Sequence, residues 1–388
     1  MENGPRRALV VVLDACGCGA LPDAHLYGDA GTNTLAHVAE AVGGLDVPTL
    51  QSLGLGNITP IPGVEPAERP AVHGRLWPLG PGKDTTAGHW EMMGIAVPRF
   101  PVYPDGFPPE VIAQFTRLTG RAVIGNAPSE GLRAILDHGE QHLRTGDLIV
   151  YTSQDSVFQI AAHVDLVGEE ELYEYCLVAR GILSGEHAVG RVIARPFEGE
   201  PGAFRRTTGR RDFALPPPGR SYLDEISGAG VPVHAVGKVG QVFAGRGVTA
   251  DHHAPDNATA IDAIDRLLAD PSPAFVFANL VDTDQVFGHR KDVDGFAAAL
   301  RAIDVAVGRW LVDIGEGDLL VLCADHGCDP AHPGTDHTRE HSPLLAMFTG
   351  QDGRRVDAPL ASVGASVLHW LTGRDAADLP GDPFVPDS

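Results

Sequence analysis

The amino-acid sequence predicts an α/β fold with a mostly parallel sheet between helices. Three apolar runs, each followed directly by an aspartate, are typical of strands that are buried on both faces of such a sheet. The runs are Leu9–Leu13, Phe275–Val281 and Leu319–Ala324. Stretches with helical periodicity accompany them, and alternating strand and helix patterns indicate an α/β sandwich. Because functional groups of these folds collect at the carboxyl ends of the strands, the aspartates mark the expected site.

The predicted helices end at glycine or proline, the residues that most often stop a helix. The first closes on Gly43 and Gly44, the second stops before Pro271, and the third closes on Gly315. A fourth, near the end of the chain, closes on Gly373. The four stretches are Asn33–Val42, Asn257–Asp270, Val293–Ile314 and Pro359–Leu371.

Residues 101–217 differ in composition and predict an inserted α/β cap domain. Proline-rich segments, PRFPVYPDGFPPE and LPPPGR, border this region, and proline stiffens linkers and resists helix and sheet interiors. Between them lie an apolar run at Leu148–Tyr151 and a helical stretch at Glu169–Leu183. The core of the protein is then expected in residues 1–100 and 218–388.

The charge balance and the cysteines argue against several classes of protein. The 388 residues include 29 basic and 51 acidic side chains, a formal charge of −22. Such a field repels phosphate backbones and anionic lipid, so we expect neither nucleic acid nor a membrane as a partner. No obligatory protein partner is evident, and the apolar run near the start is too short for a signal peptide. Five cysteines are too few for a disulfide framework, and these features together predict a cytoplasmic protein.

Carboxylates follow all three predicted strands of the core, and imidazoles accompany two of them. The candidate ligands are Asp14, Asp284, His289, Asp325, His326 and His337. A single histidine or aspartate in a loop is usually not a ligand, but strand ends that deliver these donors together indicate a site for two divalent metals. Two such ions would clamp the attacking and leaving oxygens of a phosphoryl transfer, which makes this the expected metal-binding catalytic core.

The segment GKDTTAGHWEMMG offers a nucleophile for such a site. A threonine hydroxyl is a weak nucleophile at its free pKa, and coordination to a metal would activate it. The spacing leaves Thr85 and Thr86 as alternatives, as well as an N-cap pair that only begins a short helix. Lys83 is one of three lysines among 29 basic residues, so its compact ammonium either adds a catalytic charge or pairs with Asp84.

Six segments of the chain match motifs of a known enzyme family. They are VVLDACGCGALPDA, GKDTTAGHWEMMG, YTSQDSVFQIAAH, RVIARPFEGEPG, NLVDTDQVFGHRKD and ADHGCDPAHPGTDHTRE. From about Leu9 to Leu371 the chain resembles the phosphopentomutases of the alkaline phosphatase superfamily. The resemblance implies an alkaline-phosphatase-like core with an inserted cap. It also implies an isomerase that interconverts ribose 1-phosphate and ribose 5-phosphate, and the corresponding deoxyribose pair.

The resemblance also implies a role for each residue of the core site. Thr85, directly after Asp84, would carry the phosphoryl group and pass it to the sugar through a 1,5-bisphosphate. The ions in this family are typically manganese, although other divalent metals are possible, and a catalytic sugar bisphosphate would activate the resting enzyme. The implied ligands are Asp14, Asp325, His326 and the Thr85 oxygen for one Mn²⁺, and Asp284, His289 and His337 for the other.

Contacts with small-molecule pentose phosphates follow from the same resemblance. They are Asp155, Arg195, Arg206 and Arg210 in the cap and Lys238 in the core. Arginine forks suit a phosphate and a carboxylate suits ribose hydroxyls. A cap that closes over the metals would keep water from the phosphoenzyme. Without that exclusion the chain would be a two-metal phosphatase or phosphodiesterase of the same superfamily.

A few residues depart from the family pattern. Gly209, Arg211 and Gln241 stand where asparagine, histidine and an acidic residue are more usual. These positions leave a related sugar-phosphate mutase of a specialised pathway as the alternative function. Cys328 stands where asparagine is common, next to the expected metal ligands. Cys16 and Cys18 are also unusual in the first motif. As thiolates, the three cysteines either compete for metal or oxidise, and otherwise they fill space as small neutral side chains.

Overall fold

The computed structural model describes residues 6–96, 100–153, 156–270, 272 and 274–386. The chain forms two compact units, Met1–Pro98 with Pro217–Ser388 and, separately, Arg99–Pro216. The second unit, Arg99–Pro216, nearly coincides with the predicted insertion at residues 101–217. Its action as a cap remains a prediction.

The described residues form fourteen strands and twelve α-helices. The strands are β1 (Arg7–Leu13), β2 (Val72–Trp77), β3 (Val123–Pro128), β4 (Leu148–Thr152), β5 (Val157–His163), β6 (Arg191–Glu198), β7 (Arg205–Arg206), β8 (Arg211–Ala214), β9 (Val233–Val236), β10 (Ala250–His252), β11 (Phe275–Leu280), β12 (Asp318–Cys323), β13 (Ser342–Phe348) and β14 (Ala358–Pro359). The helices are α1 (Thr34–Ala41), α2 (Pro48–Leu53), α3 (Leu55–Ile58), α4 (Thr85–Met92), α5 (Pro109–Thr119), α6 (Gly131–Thr145), α7 (Glu169–Ile182), α8 (Tyr222–Gly228), α9 (Val239–Val242), α10 (Asn257–Ala269), α11 (Val293–Asp313) and α12 (Ser362–Thr372). Two short 3₁₀ turns, Ala24–Tyr27 and Gly185–His187, and a π-helix, Thr283–Gly288, complete them. No helix in the described part of the chain is both long enough and apolar enough to cross a membrane.

The first unit is built on an eight-stranded sheet in the order β10-β9-β11-β1-β12-β13-β2-β14. The strands from β10 to β12 run parallel, and β13 lies antiparallel to both β12 and β2. Leu13 pairs with Leu280, and Val12 pairs with Cys323, so β1, β11 and β12 end at the same edge of the sheet. The aspartates that follow these strands therefore lie at one edge, as the sequence predicts.

Helices cover both faces of the central strands. Leu9 and Val11 of β1 belong to an apolar cluster with residues of α1, α10 and α11. Val10 and Val12 point the opposite way along the strand and are fully buried, and α12 contacts β1 and β12. Burial on both faces explains why these strands are continuous apolar runs rather than alternating ones.

The predicted helices occur, but one begins later than the sequence indicates. The periodic stretch from Pro359 becomes a helix only at Ser362, and Pro359 instead pairs with Trp77 in the short parallel ladder of β14 and β2. Proline is tolerated in this edge strand, since an edge needs fewer backbone donors than a central strand.

The second unit is an α/β structure of its own. Its sheet has the order β3-β4-β5-β6-β7, with β8 also paired to β6. Phe115, Phe158 and Leu172 lie in one apolar cluster, and Phe197 and Phe204 lie in another. The predicted strand at Leu148–Tyr151 and the predicted helix at Glu169–Leu183 correspond to β4 and α7.

Candidate active site

Three carboxylates meet where the central strands of the first unit end. Asp14 follows β1 directly, and Asp325 lies two residues after β12. Asp284 lies in the π-helix after β11, a rare conformation that is frequent at functional sites. All three side chains are buried. Because burying carboxylates without positive charge is costly, the strand ends form an acidic site that favours cations.

The first donor set consists of Asp14, Asp325 and His326. The Nε2 atom of His326 lies 3.5 Å from Asp14 Oδ1 and 3.3 Å from Asp325 Oδ2. The Nδ1 atom of the same ring contacts the carbonyl oxygen of Gly327 at 3.0 Å, which leaves Nε2 for the carboxylates. The hydroxyl of Thr85 lies 3.2 Å from this Nε2 atom. The first donor set therefore adjoins the expected nucleophile.

The second donor set consists of Asp284, His289 and His337. Asp284 Oδ1 lies 3.4 Å from His289 Nε2 and 3.2 Å from His337 Nε2. The two imidazole nitrogens are 3.1 Å apart. His289 Nδ1 contacts the carbonyl oxygen of Thr335 at 2.6 Å, and this contact orients the ring with Nε2 towards Asp284.

Both donor sets have the spacing and the unpaired atoms of a metal site. Ligand atoms about 2.1 Å from a tetrahedral ion are about 3.4 Å apart, which is close to the donor distances in both sets. Among the described residues, Asp14 Oδ1, Asp284 Oδ1 and Asp325 Oδ2 are buried without a hydrogen-bond partner. Mixed carboxylate and imidazole ligands suit divalent transition metals. The residues present therefore fit divalent metal ions.

Lys238 bridges the two donor sets. Its Nζ atom lies 3.2 Å from Asp14 Oδ2 and 3.6 Å from Asp284 Oδ2. Burial lowers the pKa of Lys238, but the two carboxylates outweigh burial and leave the pKa raised. In this structure the lysine thus compensates buried carboxylates, whereas its expected contact with a substrate phosphate remains a prediction.

His89 and Asn279 are two further side chains of the site that the sequence analysis missed. His89 lies 3.3 Å from Asp325 Oδ2, and its Nδ1 atom contacts the carbonyl oxygen of Thr85 at 2.9 Å. Asn279 donates to Asp14 Oδ2 at 3.2 Å. The spacing of four residues between Thr85 and His89 puts both on one helix face, and this signal was available in the sequence.

The crowded charges shift the protonation of the site. Burial and Asp325 raise the pKa of Asp14 to about 7. Burial also opposes ionisation of the other two carboxylates, but neighbouring imidazoles outweigh it and hold the pKa values of Asp284 and Asp325 well below their usual range. For His326, burial lowers the pKa, but the carboxylates outweigh burial and raise it to about 9. A divalent cation beside these groups would favour the ionised form of Asp14.

Thr85 is the first residue of α4. Asp84 caps this helix, since its carboxylate accepts a hydrogen bond from the backbone N–H three residues on, at 3.0 Å. The cap is therefore Asp84 and not the pair Thr85–Thr86, which corrects that alternative. Gly88 packs against the backbone of Asp325, where the Cβ of any other residue would overlap the carbonyl oxygen. This close approach places the first turn of α4 beside the first donor set.

Lys83 forms ion pairs outside the two donor sets. Its Nζ atom lies 3.1 Å from Asp29 Oδ2 and 3.2 Å from Asp336 Oδ2, and 5.9 Å from the ring centroid of Tyr27. These two carboxylates pair with the lysine instead of Asp84, whose carboxylate caps α4, and this corrects the expected Lys83–Asp84 pair. Lys83 links two loops near the site, and its catalytic charge remains a prediction.

The charges of three guanidinium groups of the second unit act on the hydroxyl of Tyr151. Burial raises the pKa of Tyr151, whereas Arg195, Arg206 and Arg210 each lower it. Burial and the other two arginines lower the pKa of Arg195. Arg210 forms a two-pronged pair with Asp212 at 2.8 and 2.9 Å. Guanidinium groups gathered in this way are typical of an anion site.

One expected substrate contact remains, and three further residues depart from the family pattern. Asp155 lies outside the described residues. Arg211 lies over the aromatic ring of Tyr173 at 5.1 Å, and the carbonyl of Gly209 accepts a hydrogen bond from the hydroxyl of the same tyrosine. Gln241 belongs to α9 of the first unit. The unusual residues at 209 and 211 are thus tied to a common aromatic side chain.

Comparison with known proteins gives consistent findings. A profile of the Metalloenzyme superfamily matches residues 6–373. The phosphopentomutase of Clostridium novyi (strain NT) is 50% identical over 342 residues, which is 88% of each chain. The phosphopentomutase of Acetivibrio thermocellus is 45% identical over 385 residues, covering 98% of this chain and 99% of the relative.

A solved structure extends the comparison to the fold. The phosphoglycerate mutase of Leishmania mexicana superposes with a TM-score of 0.52 at 14% identity, covering 98% of each chain. At this identity the likeness concerns the fold alone, and it confirms the expected α/β architecture.

Proposed function

The chain belongs to the phosphopentomutases of the metalloenzyme superfamily, and on this premise we propose that phosphorylated Thr85 carries its reaction. The enzyme is a metal-dependent mutase, an isomerase that moves a phosphoryl group within a pentose phosphate. The proposed reaction interconverts ribose 1-phosphate and ribose 5-phosphate, and the deoxyribose pair. The proposal rests on the position of the Thr85 hydroxyl, which lies 3.2 Å from His326 Nε2 and beside the two donor sets.

We propose two divalent ions, manganese in the working enzyme, held by the donor sets. Asp14, Asp325 and His326 would hold one together with the Thr85 oxygen. Asp284, His289 and His337 would hold the other. When bound, such ions neutralise the charge of the transferring phosphoryl group and favour the alkoxide of the nucleophile.

The proposed reaction conserves atoms without any co-reactant. Phospho-Thr85 gives its phosphoryl group to the free hydroxyl of the pentose monophosphate. The Oγ–P bond breaks, a sugar O–P bond forms, and the hydroxyl proton ends on Thr85. The resulting 1,5-bisphosphate returns its other phosphoryl group to Thr85, so the product differs from the substrate only in the position of the phosphate. A sugar bisphosphate would supply the first phosphoryl group to a resting enzyme.

The surrounding side chains hold the nucleophile and its donor sets in place. His89 contacts both Asp325 and the Thr85 carbonyl, so it ties the first turn of α4 to the end of β12. The ammonium of Lys238 lies 3.2 Å from Asp14 and 3.6 Å from Asp284, so it holds both carboxylates beside one positive charge. Rigid positioning of this kind contributes a large part of phosphoryl-transfer catalysis.

The second unit is proposed to bind the substrate and to exclude water. Its cluster of Arg195, Arg206 and Arg210 is positively charged and suits a phosphate group of the sugar. Asp155 is proposed for the ribose hydroxyls. Exclusion of water by a cap distinguishes a mutase from a hydrolase with the same metal ligands.

The preferred pentose and the location complete the proposal. Arg211 and Gly209, near the arginine cluster in sequence, and Gln241 in the first unit are proposed to select the sugar. We propose a cytoplasmic enzyme, because charged sugar phosphates do not cross a bilayer and all five cysteines are free.

Phosphorus NMR tests the proposed function directly. The manganese-loaded protein would receive ribose 1-phosphate with a trace of a sugar bisphosphate. We expect ribose 5-phosphate from the natural chain and from Thr86→Ala, the matched control, and none from Thr85→Ala. Release of inorganic phosphate as the main product would instead establish a hydrolase. Full turnover by Thr85→Ala would overturn the proposed nucleophile.

A further inference from the structure

Cys328 lies beside the second donor set. It follows His326 by two residues, and only 2% of it is exposed. Asp284, His289 and Cys328 each offer one donor atom, and these atoms all lie within 4.8 Å of one another. The distances from the sulfur to the other two donor atoms therefore exceed the ligand spacing around a single metal ion by at most about one ångström.

An unpaired oxygen of Asp284 points independently to a cation at this position. Asp284 is buried, and its Oδ1 atom has no hydrogen-bond partner among the described residues. The same oxygen lies 3.4 Å from His289 and 3.2 Å from His337. A buried carboxylate oxygen of this kind needs a positive partner, and the thiol of Cys328 faces the same space.

The surroundings of Cys328 differ from those of an ordinary buried cysteine. Cys323 contacts the sulfur of Met92 at 3.7 Å, and Cys176 lies in an apolar cluster of the second unit. The sulfur of Cys328 instead lies 3.8 Å from the carbonyl oxygen of Asp336. The sulfur of Cys16 makes a similar contact, 3.6 Å from the carbonyl oxygen of Asp14, so the feature that distinguishes Cys328 is its position within 4.8 Å of the donor atoms of Asp284 and His289.

A glycine allows the close approach between Cys328 and the π-helix. A Cβ at Gly288 would lie 3.0 Å from the sulfur of Cys328 and 2.9 Å from the carbonyl oxygen of Thr283. A side chain at 288 would press on the sulfur and shift it by a few tenths of an ångström. The backbone amide of Cys328 also donates to the carbonyl of Ala15 at 3.2 Å, which fixes the other side of the loop.

We propose that Cys328 is a fourth ligand of the second donor set for thiophilic divalent metals such as Zn²⁺, Cd²⁺ and Co²⁺. The inference rests on the proposed metal site. On binding, the S–H bond of Cys328 is exchanged for a sulfur–metal bond, and the proton passes to the solvent. Mn²⁺, which prefers oxygen and nitrogen donors, leaves the thiol protonated.

With Cys328 as a ligand, the identity of the metal would decide whether the second site stays open to substrate. Cys328 would join Asp284 and His289, whose donor atoms lie within 4.8 Å of its sulfur, and with His337 as a further donor it would take the position that substrate oxygen needs, as in closed structural zinc sites. A thiophilic ion would therefore bind tightly and block the second site. Mn²⁺ would bind through three protein ligands and keep a position open. Cys328 thus acts as the residue that determines sensitivity to zinc.

Cobalt absorption spectroscopy tests the proposal without an activity assay. The metal-free protein would be titrated with Co²⁺ alone, and the near-ultraviolet sulfur-to-cobalt band would be recorded with the visible d–d bands. We expect the sulfur band in the natural chain and in Cys176→Ala, the matched control cysteine. In Cys328→Ser we expect loss of that band with the d–d bands retained, and at least about tenfold weaker binding of Cd²⁺.

The outcomes separate this inference from the proposed function. Visible cobalt bands without a sulfur band in the natural chain would overturn the role of Cys328 and leave the metal site intact. A sulfur band that persists in Cys328→Ser would assign the ligand to another cysteine and overturn it as well. A protein that binds no cobalt would overturn both proposals.

Discussion

Removal of the positive charge of Lys238 tests whether this lysine compensates the buried carboxylates of the site. In Lys238→Met the carboxylates of Asp14 and Asp284 lose the cation that lies 3.2 and 3.6 Å away. At an effective dielectric constant of about 20, each contact is worth about 5 kcal/mol of Coulomb energy. The cost of burying the lysine offsets much of this sum. Breaking a buried ion pair by removing one partner typically costs about 3–5 kcal/mol, which is the loss that we expect.

The same substitution has a different effect once metals occupy the site. Divalent ions would neutralise both carboxylates, so the loss in the manganese-loaded protein is expected to fall below about 1 kcal/mol. The free energy of unfolding would be measured with urea, in EDTA and in Mn²⁺. Lys291→Met is the control, because this lysine bonds a carbonyl at the surface and its loss should cost less than about 0.5 kcal/mol. An equal loss for Lys238→Met with and without metal would refute this account.

Three further predictions concern titration, packing and hydrogen bonding. In the metal-free protein the pKa of His326 is raised from 6.5 to about 9. The stabilisation that its bound proton contributes is therefore complete below pH 6.5 and is lost as the pH rises through 9. In EDTA, the midpoint of thermal unfolding of the natural chain should therefore fall over that pH range, whereas the midpoint of His326→Gln should not. A midpoint of the natural chain that does not change with pH would contradict the assignment. Gly88→Ala places a Cβ against the backbone of Asp325 and should cost about 1–3 kcal/mol in urea unfolding with a loss of turnover, whereas an unchanged protein would contradict the close packing of α4. Glu340 is buried and accepts four hydrogen bonds, so Glu340→Gln should cost about 1.5–3 kcal/mol in urea unfolding, and no loss would show that these bonds are dispensable.

The sequence predicted the central strands and the six metal-ligand candidates because both follow from simple rules. Continuous apolar runs form buried parallel strands, and parallel strands in register end at one edge. Asp14 and Asp325 therefore had to lie close together once β1 and β12 were neighbours. Asp284, although four residues after its strand, is returned to that edge by the π-helix.

Other features depend on contacts that the order of residues does not reveal. The cap of α4 went to Asp84 because an extended backbone at that residue lets its carboxylate reach the helix amide. Lys83 is paired through the folding of distant loops that carry Asp29 and Asp336. Pro359 joined a strand because Trp77 offered an open sheet edge. Such outcomes depend on tertiary packing, which overrides local preference.

The central claim is that Thr85 carries the phosphoryl group, and mass spectrometry of the intact site tests it most directly. The manganese-loaded protein would be incubated with a sugar bisphosphate, quenched and digested, and the peptide that contains Thr85 would be fragmented. We predict one phosphate on Thr85 and none on Thr86, and we expect this phosphate to exchange with the phosphoryl group of added pentose monophosphate. Turnover of the substrate with the phosphate on another residue, or with no phosphorylated peptide at all, would contradict the account.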